Sequence, residues 1–331
     1  MKMVVLIDPE AWQPEDAQFE EGNEETVLDV EFHVTETLRE LGHEVRVIPF
    51  DADIRTTIDA LTEAAPDMVF NLTEHHAGER RMDKHIATLL ELLRLRYTGA
   101  GPVGLTLCRD KALCKRLLSH HRIRVPRFIM LPIGKTSVPK RLAYPLMVKP
   151  GFEDGSDGIS LASLARNEKD LAERVAMLHE RMKQPVICEE FIEGREIYIS
   201  ITGNQRLHVY PAREVRFTNP DAGPQIATAR VKLDEAYRRK WGIEFTDARL
   251  PEDLAARVAR AGRRIYRLLQ LRDYGRIDIR LTPEGQVVFL EANPNPDLTM
   301  GDEVAESARR DGVDYTQLIA RILNLALRRG P

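Results

Sequence analysis

The sequence contains little cysteine, which limits the kinds of scaffold and site that it can build. Three of the 331 residues are cysteines, Cys108, Cys114 and Cys188, and none of them has a Cys-x-x-Cys or metal-finger spacing. Disulfide scaffolds and zinc fingers depend on such patterns. We therefore expect free thiols, buried or half-buried, in a protein of a reducing compartment.

The sequence also lacks long apolar runs and a surplus of basic charge. No apolar stretch approaches the roughly 18 residues that a membrane-spanning helix needs. The apolar segment 3–7 is too short for the core of a signal peptide and leads straight into acidic residues. The formal net charge is −4, with both signs mixed throughout, whereas nucleic-acid binding needs a basic patch. These absences predict a cytoplasmic protein that binds neither membranes nor nucleic acid.

The first hundred residues show alternating strand and helix patterns. Apolar strand patterns cover 3–7, 44–50 and 68–72, and amphipathic helix patterns cover 27–41, 54–61 and 83–95. This order predicts a parallel sheet with helices on its faces. Ligands of such sheets bind beyond the carboxyl ends of the strands, here in the segments 8–25 and 71–81. We predict an N-terminal Rossmann-like substrate domain over 1–106.

The rest of the chain mixes strand pairs with helices, so more than one further layer is expected. The predicted strands are 128–130, 146–149, 159–161, 186–190, 196–202 and 206–210, followed by a hairpin over 274–291. The predicted helices are 109–119, 168–182, 234–241, 251–270, 303–310 and 314–328. The segment 212–230 is irregular. A chain of this length is expected to fold as two or three domains.

The hairpin carries the most informative polar pattern of the chain. Arg276 and Asp278 share one strand face, and Glu291 and Asn293 share parity on the returning strand. If the turn at Thr282-Pro283-Glu284-Gly285 has a two-residue loop, Arg276 falls opposite Glu291 and Asp278 lies diagonally from it. Such oxygens suit Mg²⁺ carrying nucleotide phosphates. The alternative is an exposed strand face with a surface Arg–Glu pair.

A second chemical pattern lies in the middle of the chain. Lys149 ends a strand immediately before the small-residue loop GFEDGSDG at 151–158. Such a loop can bring backbone N–H groups close to phosphate oxygens, although GxxxxGK[ST] is absent and this is not a P-loop. The alternative is a β-turn with solvated acids.

These motifs together resemble one family. GRID…LEAN at 275–293, YTGAG at 97–101, LMVKPGFEDGSDGIS at 146–160 and CEEFIEGRE at 188–196 resemble the ATP-grasp ligases of the D-alanine–D-alanine ligase branch. The resemblance implies an α/β fold of the α+β ATP-grasp type. An N-terminal parallel-sheet domain would precede two α+β lobes that sandwich ATP, a central lobe over 107–188 and a C-terminal lobe over 189–331. The resemblance also implies a homodimer.

The resemblance assigns roles around the nucleotide phosphates. It implies that two Mg²⁺ (or Mn²⁺) ions are held by Asp278, Glu291 and Asn293, and that Arg276 steadies the reacting phosphoryl and acyl oxygens. Phosphate contacts would come from Lys111, Lys149 and Ser156. Lys232, in ATARVKL, would reach the γ-phosphate from a lid over 212–230.

The resemblance also places the nucleoside. Backbone groups at Glu190, Phe191 and Ile192 would bind the adenine edge, Glu189 would accept from its exocyclic amine, and Glu196 would bind the ribose hydroxyls. Without the family, this segment would equally fit a strand edge rich in solvated acids.

The implied reaction is ATP-dependent joining of a carboxylate to an amine through an acyl phosphate, with small amino-acid-like substrates. The sequence departs from the family where those substrates bind. Asp8-Pro9-Glu10 replaces a GG-S-E pattern, and NPNPDLTMGDE follows Glu291-Ala292 where a Gly-Met-Thr-Ser-type loop is usual. Two acids, Asp302 and Glu303, then fall where the family binds a carboxylate. We expect a substrate pair other than two D-alanines, with candidate contacts at Asp8, Glu10, Glu74 and Asp302.

Two other functions stay open at this point. One is genuine D-alanine–D-alanine ligation with Asp302 facing solvent. The other, from a different class, is a non-catalytic Mg-ATP-binding sensor or partner protein. The neighbouring His75 and His76 indicate a solvated loop rather than zinc, because they lack the helical spacing of zinc ligands.

Overall fold

The structure is a computed structural model that describes residues 1–11, 30–138, 142–153, 158–218, 226–228, 231 and 235–329. Within these residues the strands form three sheets. Strands and helices are numbered below in chain order. No helix of the described part combines the length and the apolar character that crossing a lipid bilayer requires.

The first sheet is parallel, as predicted, with strand order β2-β1-β3. Its strands are β1 (Lys2–Ile7), β2 (Glu44–Pro49) and β3 (Met68–Asn71), and its helices are α1 (Val30–Glu40), α2 (Ile54–Ala64) and α3 (Asp83–Leu92). The apolar run of β1 is buried on both faces because helices cover both sides of the sheet.

The second sheet is antiparallel, with order β4-β7-β5-β6. Its elements are α4 (Pro102–Arg109), α5 (Lys111–His120), β4 (Phe128–Leu131), β5 (Leu146–Pro150), β6 (Leu164–Ala165), α6 (Glu168–Met182) and β7 (Val186–Glu190). Helix α4 was not predicted, although Pro102 at its first turn is a typical helix start. The strand predicted over 159–161 is wrong, because a 3₁₀ turn at Leu161–Ser163 precedes the short β6.

The third sheet is antiparallel, with order β11-β10-β8-β12-β13 and β9 on β8. Its strands are β8 (Arg195–Gly203), β9 (Leu207–Val209), β10 (Arg213–Phe217), β11 (Ile243–Asp247), β12 (Tyr274–Leu281) and β13 (Val287–Asn293). The helices are α7 (Glu235–Trp241), α8 (Glu252–Leu268), α9 (Glu303–Arg310) and α10 (Tyr315–Arg329). The irregular segment predicted here is wrong at its start, since 213–217 are ladder residues between β8 and β11. The lid role of 212–230 stays a prediction.

Two large cores hold these layers together. One joins the first sheet to the end of the chain: Met3, Val5 and Ile7 of β1 pack with Ile319 and Ile322 of α10. The other packs α5 and α8 against the third sheet. All three cysteines are free and buried, which confirms the predicted state of the thiols.

Candidate active site

The hairpin β12–β13 aligns the predicted metal ligands, but not in the predicted register. Asp278 lies directly opposite Glu291, and Arg276 lies opposite Asn293. The two-residue loop is wrong: the Thr282 amide donates to the Gln286 carbonyl at 3.0 Å, so three residues form the turn. Gly285 adopts a φ of +73° there, as a three-residue hairpin loop requires.

A β-bulge corrects the parity that the longer turn disturbs. The ladder shifts between Asp278 and Ile279, so Leu290 is an extra residue on β13. Bulges next to active sites commonly re-aim side chains. Here the extra residue returns Glu291 to the strand face of Asp278, because a one-residue shift moves side chains to the opposite face.

Asp278 is the centre of a buried polar group. The Arg276 guanidinium donates two hydrogen bonds to its carboxylate, at 2.8 and 3.1 Å, and the Asn293 amide nitrogen donates at 3.3 Å. Burial lowers the pKa of Arg276, but Asp278 outweighs it and the pKa is raised. Arg276 is therefore held charged, 5.3 Å from the centre of the Tyr198 ring.

The chemistry of the donors fits a hard cation such as Mg²⁺. Asp278 and Glu291 supply carboxylate oxygens across one ladder pair, and Asn293 adds an amide. Within the described residues no cluster of three or more His, Cys, Asp and Glu side chains could hold a metal. A cation here would therefore take its remaining ligands from phosphate oxygens and water, as Mg²⁺ in nucleotide sites usually does.

The charges of both predicted phosphate lysines interact with Glu291 of this donor set. Lys149, at the end of β5, has its ammonium 3.4 Å from Glu189. Lys111, the first residue of α5, has its ammonium 3.9 Å from Glu291 and donates to the carbonyl of Glu153. Both lysines are buried, so their charge is poorly screened by water. Ser156 and Lys232 lie outside the described residues.

A cleft that is open to solvent lies between the second and third sheets. The predicted residues on its wall are Lys149, Glu189, Glu190, Phe191, Ile192, Glu196, Asp278 and Glu291. Its other wall residues were not predicted; they are Pro126, Met147, Ile159, Ile226, Ala227, Arg280 and Leu290. Met147 and Ile159 flank the Gly-rich loop, and that position was the available signal for them.

Glu189 is engaged by two lysines rather than facing solvent. Its oxygens lie 3.1 Å from the Lys115 ammonium and 3.4 Å from that of Lys149. Burial raises the pKa of Glu189, but the two lysines outweigh burial and the pKa is lowered. Acceptance from an adenine amine stays a prediction. Lys115 was not among the predicted site residues, although Lys115 lies four residues after Lys111 and therefore on the same helix face.

A second buried arginine, Arg280, lies on the cleft wall together with Glu196. Arg280 donates to Glu196 at 2.8 Å and to the carbonyl of Gly194 at 2.7 Å, with its guanidinium 5.4 Å from the Phe191 ring centre. The Tyr198 hydroxyl donates to the other oxygen of Glu196 at 3.0 Å. The ribose role of Glu196 stays a prediction.

Two backbone amides of the predicted adenine-binding segment, 190–192, already donate hydrogen bonds within the protein. The amide of Glu190 donates to the Arg127 carbonyl at 2.9 Å, and that of Phe191 donates to the Pro145 carbonyl at 3.0 Å. These two amides are therefore not available to an adenine edge in this arrangement.

Three predicted substrate residues meet beyond the parallel sheet. Asp8 follows β1, and its carboxylate accepts from the Glu74 amide at 2.9 Å. His75 has a ring nitrogen 3.3 Å from Glu10 and 3.7 Å from Asp8. Burial raises the pKa of Asp8 against the opposing effect of the Glu74 amide. Glu74 itself lies 3.0 Å from Arg80.

The fourth candidate, Asp302, lies at the start of α9. Its charge acts on Arg276 and on Glu303, so Asp302 lies in the neighbourhood of both side chains. Glu303 is buried and accepts from Arg213 of β10 at 3.2 Å. Burial raises the pKa of Glu303 to about 6, Asp302 adds to the rise, and Arg213 opposes it.

A solved structure shares this architecture. D-alanine–D-alanine ligase from Bacillus anthracis complexed with ATP matches with a TM-score of 0.76 over 99% of this chain and 98% of that chain, at 19% identity. At this identity the likeness shows the fold, which is that of the ATP-grasp ligases.

Sequence relatives define the family more closely. A family model described as D-ala D-ala ligase C-terminus matches residues 131–324. An uncharacterized protein, y4sG, of Sinorhizobium fredii is 32% identical over 89% of this chain and 87% of its own length. D-alanine–D-alanine ligase of Bordetella petrii is 32% identical over 84% and 81%. The chain therefore belongs to the D-alanine–D-alanine ligase family of ATP-dependent carbon–nitrogen ligases, whose members use ATP and a divalent metal.

Proposed function

We propose that this ligase joins a carboxylate to an amine through an acyl phosphate, and that its substrate pair is not two D-alanines. The observation that carries the proposal is the arrangement at the end of the cleft. Arg276 donates two hydrogen bonds to the proposed metal donor Asp278, and the negative charge of Asp302 acts on it more weakly. A free α-carboxylate would therefore meet less positive charge there than a single unpaired arginine would offer.

The nucleotide would lie with its base between the apolar walls and its phosphates toward β12 and β13. Lys111 and Lys149, with Ser156 and Lys232, would contact the phosphates. Asp278, Glu291 and Asn293 would hold Mg²⁺ or Mn²⁺, two ions in our proposal. When bound, such ions neutralise charge on the phosphate oxygens.

The chemistry needs two transfers. A substrate carboxylate oxygen attacks the γ-phosphorus and ADP leaves, which gives the acyl phosphate. The amine nitrogen then attacks the acyl carbon, inorganic phosphate leaves, and the nitrogen loses a proton. Arg276 is positioned to stabilise the oxyanion that forms at the acyl carbon.

The acids around the substrate end favour a cationic amine. Asp302 lies at one side of the site, and Asp8, Glu10 and Glu74 lie beyond the parallel sheet, with 8–11 and 71–81 forming its carboxyl edge. Opposite charge near the amine of the acceptor would favour its binding. The acceptor we propose therefore carries a positive group besides the reacting amine, and it lacks a free α-carboxylate at the Asp302 position.

A pooled screen tests this proposal. ADP release is measured with mixtures of amino acids and amines, and the new amide is identified by mass. We expect turnover with a pool that contains a cationic amine and little with D-alanine alone. Substitution Asp302→Asn should raise KM for that amine more than it lowers kcat. Robust turnover with D-alanine alone would contradict the proposed substrate pair.

Orthodox D-alanine–D-alanine ligation is the second candidate. It is favoured by the relative from Bordetella petrii, which bears that name at 32% identity. The same assay distinguishes the two, because D-alanine would then be sufficient and the product would be its dipeptide.

A further inference from the structure

Lys115 is a buried cation that the reaction described above does not use. It lies on α5 one helical turn after Lys111, so both ammonium groups project from the same face of the helix. Lys115 is 1% exposed. A lysine is rarely this buried unless it is paired, so its partners should indicate its role.

The partners of Lys115 belong to two different sheets. Its ammonium lies 3.1 Å from Glu189, on β7 of the second sheet. It also donates to the carbonyl of Leu290, on β13 of the third sheet, and lies 5.2 Å from the ring centre of Phe289. Lys115 thus joins the two walls of the nucleotide cleft.

Leu290 is the extra residue of the bulge. On the turn side of the bulge, Arg280 pairs with Val288. A regular ladder continued from that pair would bring Leu290 and Ala292 onto the face of Asp278. The bulge brings Glu291 and Asn293 there instead, so the metal donor set depends on this irregularity.

We propose that Lys115 is a positioning residue that fixes the Leu290 bulge and thereby aims Glu291 at the metal site. Its second contact, with Glu189, connects this bulge to β7, the strand that leads into the predicted adenine-binding segment 190–192. The proposal rests on the metal and nucleotide assignments made above. Partners that orient metal ligands typically change metal affinity or activity by about 10–100-fold when they are replaced.

A purely structural role offers a different explanation. Lys115 could serve only as the counter-ion of buried Glu189, since an unpaired buried charge is costly. Two variants separate these roles. Lys115→Met removes both contacts and leaves Glu189 with Lys149 alone. Lys115→Gln removes the charge as well but keeps an N–H donor for the Leu290 carbonyl, and it too leaves Glu189 with Lys149 alone.

The test measures Mn²⁺ binding by electron paramagnetic resonance with a saturating non-hydrolysable ATP analogue, and unfolding by urea. Arg116→Met, on the exposed side of the same helix, is the matched control. We expect Mn²⁺ binding to be weaker by about tenfold or more in Lys115→Met and nearer to wild type in Lys115→Gln. Stability toward urea should fall in both Lys115 variants, because each removes a cation from Glu189, and Arg116→Met should match wild type in both measurements.

Three results would overturn the proposal. Wild-type Mn²⁺ affinity in Lys115→Met would show that the bulge does not need this lysine. Equal losses of Mn²⁺ affinity in Lys115→Met and Lys115→Gln would assign Lys115 to Glu189 alone. Failure of the wild-type protein to bind Mn²⁺ with the nucleotide analogue would contradict the metal site itself, and the proposal would fall with it.

Discussion

At the residue scale, the sequence predicted which charged side chains gather but not how they pair. Asp278 was predicted as a metal ligand, and the structure adds that Arg276 binds both of its oxygens. Lys115 and Arg280 were missed, because their partners lie 74 or more positions away in sequence. Pairing between distant elements depends on the packed fold, which no local pattern encodes.

The Arg276–Asp278 pair should matter for stability as well as for the reaction. Arg276→Met removes two hydrogen bonds and the nearest positive charge from the buried Asp278 carboxylate, so we expect the free energy of unfolding to fall by about 3 kcal/mol. Added Mg²⁺ should recover part of this loss, because a cation can replace the lost guanidinium charge. Urea unfolding with and without Mg²⁺ measures both effects. Arg260→Met, at an exposed position of α8, is the control and should change stability little; an equal loss in both variants would contradict the prediction.

Glu303 should make stability depend on pH with a defined sign. Its pKa is raised from 4.5 to about 6, so the folded state binds more protons between these values. The contribution of Glu303 to the free energy of unfolding is therefore complete below pH 4.5 and disappears as the pH rises through 6. The difference amounts to about 2 kcal/mol.

A variant that cannot ionise isolates this contribution. Glu303→Gln keeps an acceptor for Arg213, while Asp302, Arg276 and the acids near Arg213, Asp247 and Glu306, stay in place. The stability of the variant minus that of wild type should rise by about 2 kcal/mol between pH 4.5 and 7. Chemical unfolding across this pH range measures the stability difference. A difference that does not change with pH would contradict the raised pKa of Glu303.

At the element scale, the hairpin shows why a wrong register still brought the predicted ligands to one strand face. The turn holds one residue more than the two-residue loop predicted, and the Leu290 bulge adds another. Each extra residue reverses strand parity, so the two cancel, and Glu291 and Asn293 return to the face of Asp278. Alternation in the sequence reports parity within a strand, but it contains little signal for a bulge, which depends on contacts such as that of Lys115.

Helix α5 provides an element-scale test, because its first turn carries Lys111. The Asp110 side chain caps this helix by accepting from the amides of Ala112 and Leu113, at 3.0 and 2.9 Å. Asp110→Ala should cost about 1 kcal/mol of stability and raise KM for ATP several-fold, because the first turn would no longer be fixed. Steady-state kinetics and urea unfolding give the two quantities.

The matched control is the cap of a helix outside the site. Asp53 caps α2 through the amide of Arg55 at 3.1 Å. Asp53→Ala should lose similar stability with no change in KM for ATP. An equal KM in the two variants would show that the α5 cap does not position Lys111.

At the scale of the whole molecule, the core of the N-terminal sheet includes side chains from the C-terminal helices. The parallel sheet was predicted from 1–71, but its core is completed by α10 at the other end of the chain. Fully buried Asp273 also links these parts of the chain. Its carboxylate accepts hydrogen bonds from the amide of Gly99 at 2.9 Å and from the Arg329 guanidinium at 3.0 Å. The sequence showed α10 as an amphipathic helix, but amphipathicity does not say which surface a helix covers. The domain limits 1–106, 107–188 and 189–331 stay a prediction.

This shared core makes a prediction about the fragment 1–106. Without α10 the face of β1 that carries Met3, Val5 and Ile7 keeps α1 but loses the rest of its cover, so the isolated fragment should bind a hydrophobic dye and unfold without a cooperative transition. Joining residues 315–329 to the fragment through a flexible linker should restore cooperativity, because Ile319 and Ile322 regain their places in the core. The same linked fragment with Ile322→Asp is the control and should behave like the bare fragment, since a buried unpaired charge opposes docking of the helix. Cooperative unfolding of the bare fragment would show that the first sheet folds independently, and α10 would then be an addition to a complete domain.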